Sequence, residues 1–118
     1  EGAADIRVSD IVGALTMKGL ALGRPGKLEK DAYDIYVLAG FHGGGPEDAA
    51  SFFNRQIETL SSGRLPEPTV DALRRIRDGF GSPRSFASLA VSRFMEQDIS
   101  VDASERVNVF LSRVHQTF

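Results

Sequence analysis

The chain contains no cysteine, which excludes a disulfide framework, a thiolate nucleophile and a cysteine metal site, and leaves the redox compartment open. It also has no apolar run near the ~20 residues that span a bilayer, and no signal-peptide pattern opens it. Neither sign of charge dominates. Fourteen basic against sixteen acidic residues give a net charge of -2, which argues against a protein whose main business is coating nucleic acid. There are two histidines; His115 lies beside an apolar stripe with no other ligand type close in sequence, which argues against a metal there. No internal repeat, low-complexity tract or domain boundary is visible. What is present is ordinary for one soluble globular domain: 118 residues, 42% hydrophobic and 25% charged, enough for a modest core. A soluble, cytoplasmic protein is expected. The chain begins Glu1-Gly2-Ala3 without a methionine, so a piece of a longer polypeptide is expected as well.

Apolar spacing predicts an all-α fold of about six helices in one compact, bundle-like domain over residues 1–118. Asp5 to Val8 alternates polar and apolar and is read as a possible short N-terminal edge strand. Ser9 is the expected cap of a first helix, stopped by Pro25-Gly26. A second runs from about Glu29 to His42 and is ended by Gly43 to Gly45. A third starts at Pro46 and reaches about Leu60, with Ala49, Phe53, Ile57 and Leu60 inward. Pro66 and Pro68 form a stiff connection to a fourth, from Thr69, with Val70, Leu73, Ile76 and Phe80 inward. Ser82-Pro83 has the form of a fifth helix start, with Phe86, Leu89, Ala90 and Phe94 inward to about Gln97. Asp102 and Glu105 resemble a capping box for the last helix, whose stripe of Ala103, Val107, Phe110, Leu111, Val114 and Phe118 continues to the C-terminus.

The first two helices carry charges where the pattern expects apolar residues. Ile11, Leu15, Lys18 and Leu22 share one stripe, as do Asp31, Asp34, Ile35 and Leu38. Unpaired charges are costly on inward faces, so Lys18 is expected to meet the two aspartates, as a structural ion pair or as a polar site lining a cleft. The intervening loop, Gly23-Arg24-Pro25-Gly26-Lys27, is basic.

The run Met17-Lys18-Gly19-Leu20-Ala21-Leu22, then Arg24, then Lys30-Asp31-Ala32-Tyr33-Asp34-Ile35-Tyr36 resembles a pattern of nucleotidyltransferase-like proteins of the abortive-infection AbiEii type. The likeness covers roughly Ile6 to Leu38. It implies a C-terminal helical domain that supplies Lys18, Asp31 and Asp34 as catalytic residues, with Lys18 facing nucleotide phosphates and an aspartate assisting the acceptor or orienting the lysine. Arg24, Lys27 and Lys30 would help hold phosphate. The chain departs from the family in lacking a Gly-Gly or Gly-Ser motif followed by Asp-x-Asp, so the groups that would hold Mg2+ ions around a nucleoside triphosphate are missing. Alone it is expected to be inactive. The resemblance therefore implies an N-terminal nucleotidyltransferase domain of the same polypeptide as partner, Mg2+ and a nucleoside triphosphate as its cofactors, and an RNA acceptor or partner protein.

Other features admit plainer readings. Arg74, Arg75, Arg77 and Arg84 form the densest basic group, either an RNA-backbone contact or a solvated helix face. His42-Gly43-Gly44-Gly45 echoes an esterase oxyanion loop, but without a Gly-x-Ser-x-Gly elbow it reads as a helix stop. The Phe52-Phe53 pair reads as core rather than a base-stacking platform. Two further classes stay open: a non-catalytic helical protein-binding module, and a helix-turn-helix DNA binder, against which the acidic net charge counts.

Overall fold

The architecture follows from how each helix is started and stopped. In the computed structural model, which describes residues 10–116 and 118, six α-helices follow one another: α1 (Ile11–Ala21), α2 (Leu28–Phe41), α3 (Pro46–Ser61), α4 (Glu67–Gly79), α5 (Phe86–Met95) and α6 (Ser100–Arg113). No strand occurs among the described residues; the expected edge strand at residues 5–8 and the Ser9 cap lie outside them. Asp10 caps α1 instead, its carboxylate accepting the Gly13 N–H at 2.7 Å. After α2, a 3-10 turn at His42–Gly44 reverses the chain. Gly43 sits there at φ 77° with the Phe52 ring 2.7 Å from where a Cβ would stand, so only glycine fits. The turn is thus a helix stop. At the end of α3, Ser62 adopts the left-handed conformation and Gly63 N–H reaches back to Ile57 C=O at 3.1 Å, closing the exposed carbonyls.

Three boundaries differ from expectation. Helix α4 begins at Glu67, two residues early, because Pro68 falls in its first turn, where no backbone N–H is needed. Ser82-Pro83 does not start α5: Ser82 N–H donates to Ser85 Oγ at 2.9 Å and Arg84 N–H to Ser82 Oγ at 3.2 Å, a hydroxyl-closed turn that delays the helix to Phe86. Asp102 and Glu105 do not form a capping box. Helix α6 starts earlier, at Ser100, and the Asp102 carboxylate is taken up by Tyr36 and Arg106. The helix also stops at Arg113, short of Phe118. Asn54 of α3 holds the exit, donating to Arg113 C=O at 2.9 Å and accepting the His115 N–H at 3.1 Å.

The core is built on Phe53, Phe80 and Phe110, surrounded by Ile35, Leu73, Ile76, Val91 and Val107, all fully buried. Phe53 and Phe110 meet edge to face at 5.5 Å. Its neighbour Phe52 is exposed, so only half of the Phe52-Phe53 pair is core. The predicted stripe of α5 is overturned: Phe86, Leu89 and Phe94 are exposed and only Ala90 of that set is buried. The helix turns Ala87, Ser88, Ala90 and Val91 inward instead, small residues that let it lie close against its neighbours. Leu60 likewise points outward, and Val70 is only half-buried.

Helix α1 is fixed by α4. A Cβ on Gly19 would stand 2.7 Å from the Ala72 Cβ and 2.8 Å from its carbonyl oxygen, so the two backbones touch with no side chain between them. The Thr16 and Thr69 hydroxyls add a 2.8 Å hydrogen bond along the same seam. This contact orients Lys18, one residue before Gly19, toward α2.

Candidate functional site between α1 and α2

Lys18, Arg24, Lys30, Asp31 and Asp34 come together in one cluster. Lys18 Nζ lies 3.2 Å from Asp31 Oδ1 and 2.8 Å from Asp34 Oδ2, bridging both carboxylates. Arg24, from the loop, folds back to donate Nε to Asp31 Oδ2 at 3.2 Å and Nη2 to both Asp31 oxygens at 3.1 and 3.0 Å. Lys30, one turn before Asp34, donates to its two oxygens at 2.8 and 2.9 Å. Helical spacing makes this possible: Asp31 and Asp34 are three residues apart and share the α2 face turned to α1.

Burial is divided by charge. The Asp31 side chain is 1% exposed and Asp34 20%, whereas Lys18 is 32%, Arg24 53% and Lys30 58% exposed. The carboxylates form the floor and the cations the rim. For Asp34, burial alone would raise the pKa, but the hydrogen bonds from Lys18 and then Lys30 outweigh it and hold the carboxyl below its ordinary range. The Lys18 ammonium is pushed up, chiefly by its bond to Asp34 against the opposing effect of burial, with Asp31 adding to the rise. Both groups are therefore charged at neutral pH.

Chemically, the floor is committed. Asp31 accepts four hydrogen bonds from two cations and has almost no solvent contact, an arrangement suited to holding Arg24 and Lys18 rather than to taking a proton from an acceptor. The same donor set does not fit Mg2+, which needs carboxylate oxygens that the lysines and arginine already occupy. Among the described residues no group of three histidine, aspartate or glutamate side chains is placed to hold a metal ion. Lys27, the fourth cation of this segment, is exposed at the residue preceding α2.

Sequence reasoning missed a second polar cluster, which ties α2 to α6. Tyr36 Oη donates to Asp102 Oδ2 at 2.5 Å, and Arg106 Nε bonds the same oxygen at 3.0 Å. Arg106 also donates to Gly40 C=O at 3.2 Å and lies 4.1 Å over the Phe41 ring. Burial, and then the bond to Asp102, push the Tyr36 phenol far up, so it stays protonated. The i,i+4 spacing of Asp102 and Arg106 was the one legible signal. In the basic group of α4, Arg75 reaches toward Leu20 C=O and Arg77 donates to Phe118 C=O at 2.9 Å. No helix among the described residues is long and apolar enough to cross a membrane.

Compared with known proteins, the chain matches no family model, no curated protein and no solved structure.

Proposed function

We propose that the α1–α2 face is the phosphate-facing part of a nucleotide site, contributed by this helical domain to a nucleotidyltransferase-like protein whose α/β domain completes it. The observation that carries this reading is the ordering of charge: two carboxylates lie beneath three cations, so the rim presents a surplus of positive charge in a chain of net charge -2. Lys18, Arg24 and Lys30 meet phosphate oxygens, and Lys27 extends the rim. Asp31 and Asp34 orient the cations, and the bond to Asp34 above all keeps Lys18 protonated. Alone, the domain has no means of transferring a nucleotidyl group; Mg2+ and the triphosphate belong to the completed site.

A second reading, a protein-binding module without catalysis, is favoured by the exposed Phe86, Leu89 and Phe94 of α5. Calorimetric titration of the chain with tripolyphosphate at low salt separates the two. Phosphate binding predicts a saturable signal that Lys18→Ala weakens about five-fold, on the order of 1 kcal/mol for one charge-assisted contact, with the thermal midpoint nearly unchanged. No saturable signal, or equal affinity in the variant, leaves the partner-binding reading in its place.

A further inference from the structure

Beside the cation rim lies an open cleft of about 510 Å³ lined by Gly26, Leu28, Glu29, Lys30 and Phe94. We infer that this cleft is a nucleobase subsite in which a planar base stacks against Phe94 while its phosphates reach Lys30 and Lys18. The inference rests on the phosphate-binding reading above and adds to it the place of the base, on Phe94 in the cleft beside Lys30.

Three observations converge on it. Phe94 was expected in the core, yet its side chain is 40% exposed and lines the cleft. Its ring is already stacked on Tyr33, with centroids 4.6 Å apart and planes 29° from parallel. Tyr33 thus backs the ring as a base added to the stack would need, because stacking of flat rings is favourable and tolerant of base identity. Continuity with the rim is the second. Lys30 belongs to both, lining the cleft while its Nζ bonds Asp34, which in turn bonds Lys18. Phosphates carried by a ring on Phe94 meet Lys30 first, with Lys18 next along the same ion-paired chain. The third is Glu29, a carboxylate in the same cleft, held by Arg93 Nε through Oε2 at 3.1 Å. Its other oxygen is an acceptor for the exocyclic amine of a base, something that a bare phosphate has no use for.

Other features of the molecule carry less. The shallow cleft of about 270 Å³ at Ser51, Asn54, Arg55, Glu58 and His115 is occupied in a structural task, since Asn54 there holds the end of α6. Ser88 Oγ, buried without a hydrogen-bond partner, faces no cavity described above.

The test compares ATP with tripolyphosphate, without added metal, on the intact chain and on Phe94→Ala and Phe94→Tyr. Tripolyphosphate carries at least as much charge as ATP, so any preference for ATP comes from the nucleoside. The subsite predicts that the intact chain prefers ATP by about ten-fold, the scale of one base stack. Phe94→Ala abolishes the preference without changing tripolyphosphate affinity, and Phe94→Tyr restores it. Equal binding of the two ligands by the intact chain overturns the base subsite and leaves the phosphate reading standing. A preference that survives Phe94→Ala in a protein of unchanged thermal midpoint also overturns it. Binding of neither ligand overturns both.

Discussion

On its α4 flank, α1 comes so close that Gly19 leaves no room for a side chain against Ala72, whereas on its α2 flank the contact is made by the ends of long charged side chains reaching Asp31 and Asp34. The first contact is dry, short and intolerant of added atoms; the second is wet at its rim and redundant, each carboxylate being held by two cations. The difference teaches how a modest domain can carry a cluster of charges. Position is fixed by the close-packed seam, so the ionic side does not have to supply the energy that holds the helix in place.

The comparison breaks first at Gly19. Gly19→Leu is expected to destabilise by more than about 3 kcal/mol, because overpacking against a backbone atom cannot be relieved by turning a side chain. Chemical denaturation measures it. A loss below about 1 kcal/mol would show that α1 is free to move away from α4 and that the ionic flank holds it after all. Asp31→Ala comes next, with an expected loss of about 2–3 kcal/mol as four charge-assisted hydrogen bonds disappear and a small cavity opens. Asp31→Leu sharpens the point: filling the buried site with apolar volume recovers much of that loss, since burying even a paired carboxylate costs desolvation that burying Leu does not. If Asp31→Leu is no better than Asp31→Ala, the ion pairs themselves stabilise the fold and the dry seam is not sufficient.

Lys18→Ala is smaller still, under about 1 kcal/mol by thermal denaturation, because Arg24 continues to neutralise Asp31 and Lys30 continues to neutralise Asp34. That redundancy frees Lys18 for a ligand. A loss comparable to that of Asp31→Ala would make it a structural strut and remove the case for phosphate contact.

How much of this was legible in the sequence depends on what each feature needed. The all-α class, the six helices and the meeting of Lys18 with Asp31 and Asp34 followed from periodicity, because a charge on an inward stripe has few ways to be satisfied. The outward turn of Phe86, Leu89 and Phe94 did not follow. On α5, the large apolar residues and the small ones both recur at helical spacing, and the choice of which faces inward was made by close approach to other helices, a tertiary fact. The α6 cap was misread for a similar reason: Asp102 has the right neighbours for a capping box, but Tyr36, sixty-six residues earlier, claims its carboxylate. Arg24 reads in the sequence as a loop cation that helps hold phosphate and not as a partner of Asp31, since nothing local says that its side chain folds back across the turn.

The smallest effect is on the pH profile, and its signs differ on the two limbs. Asp34 has a folded-state pKa below its ordinary 3.8, so its contribution to stability is complete above that value and is lost as pH falls through the lower folded one. Lys18 has a folded-state pKa above its ordinary 10.5, so its contribution is complete below that value and is lost as pH rises through the higher folded one. His42 acts in a third window: burial lowers its pKa below 6.5, so it costs the fold nothing above 6.5 and costs it stability as pH falls from that value through the lower folded one. The ionic flank should therefore be indifferent to pH between about 5 and 10 and weaken outside that range. Asp34→Asn removes its share of the acid limb and, by taking away the main partner of Lys18, flattens the alkaline limb as well. Denaturation midpoints of the intact chain and Asp34→Asn at pH 2.5, 7 and 11 measure both. If the alkaline limb is unchanged in the variant, Lys18 is held mainly by Asp31, and the two carboxylates of the floor have their roles exchanged.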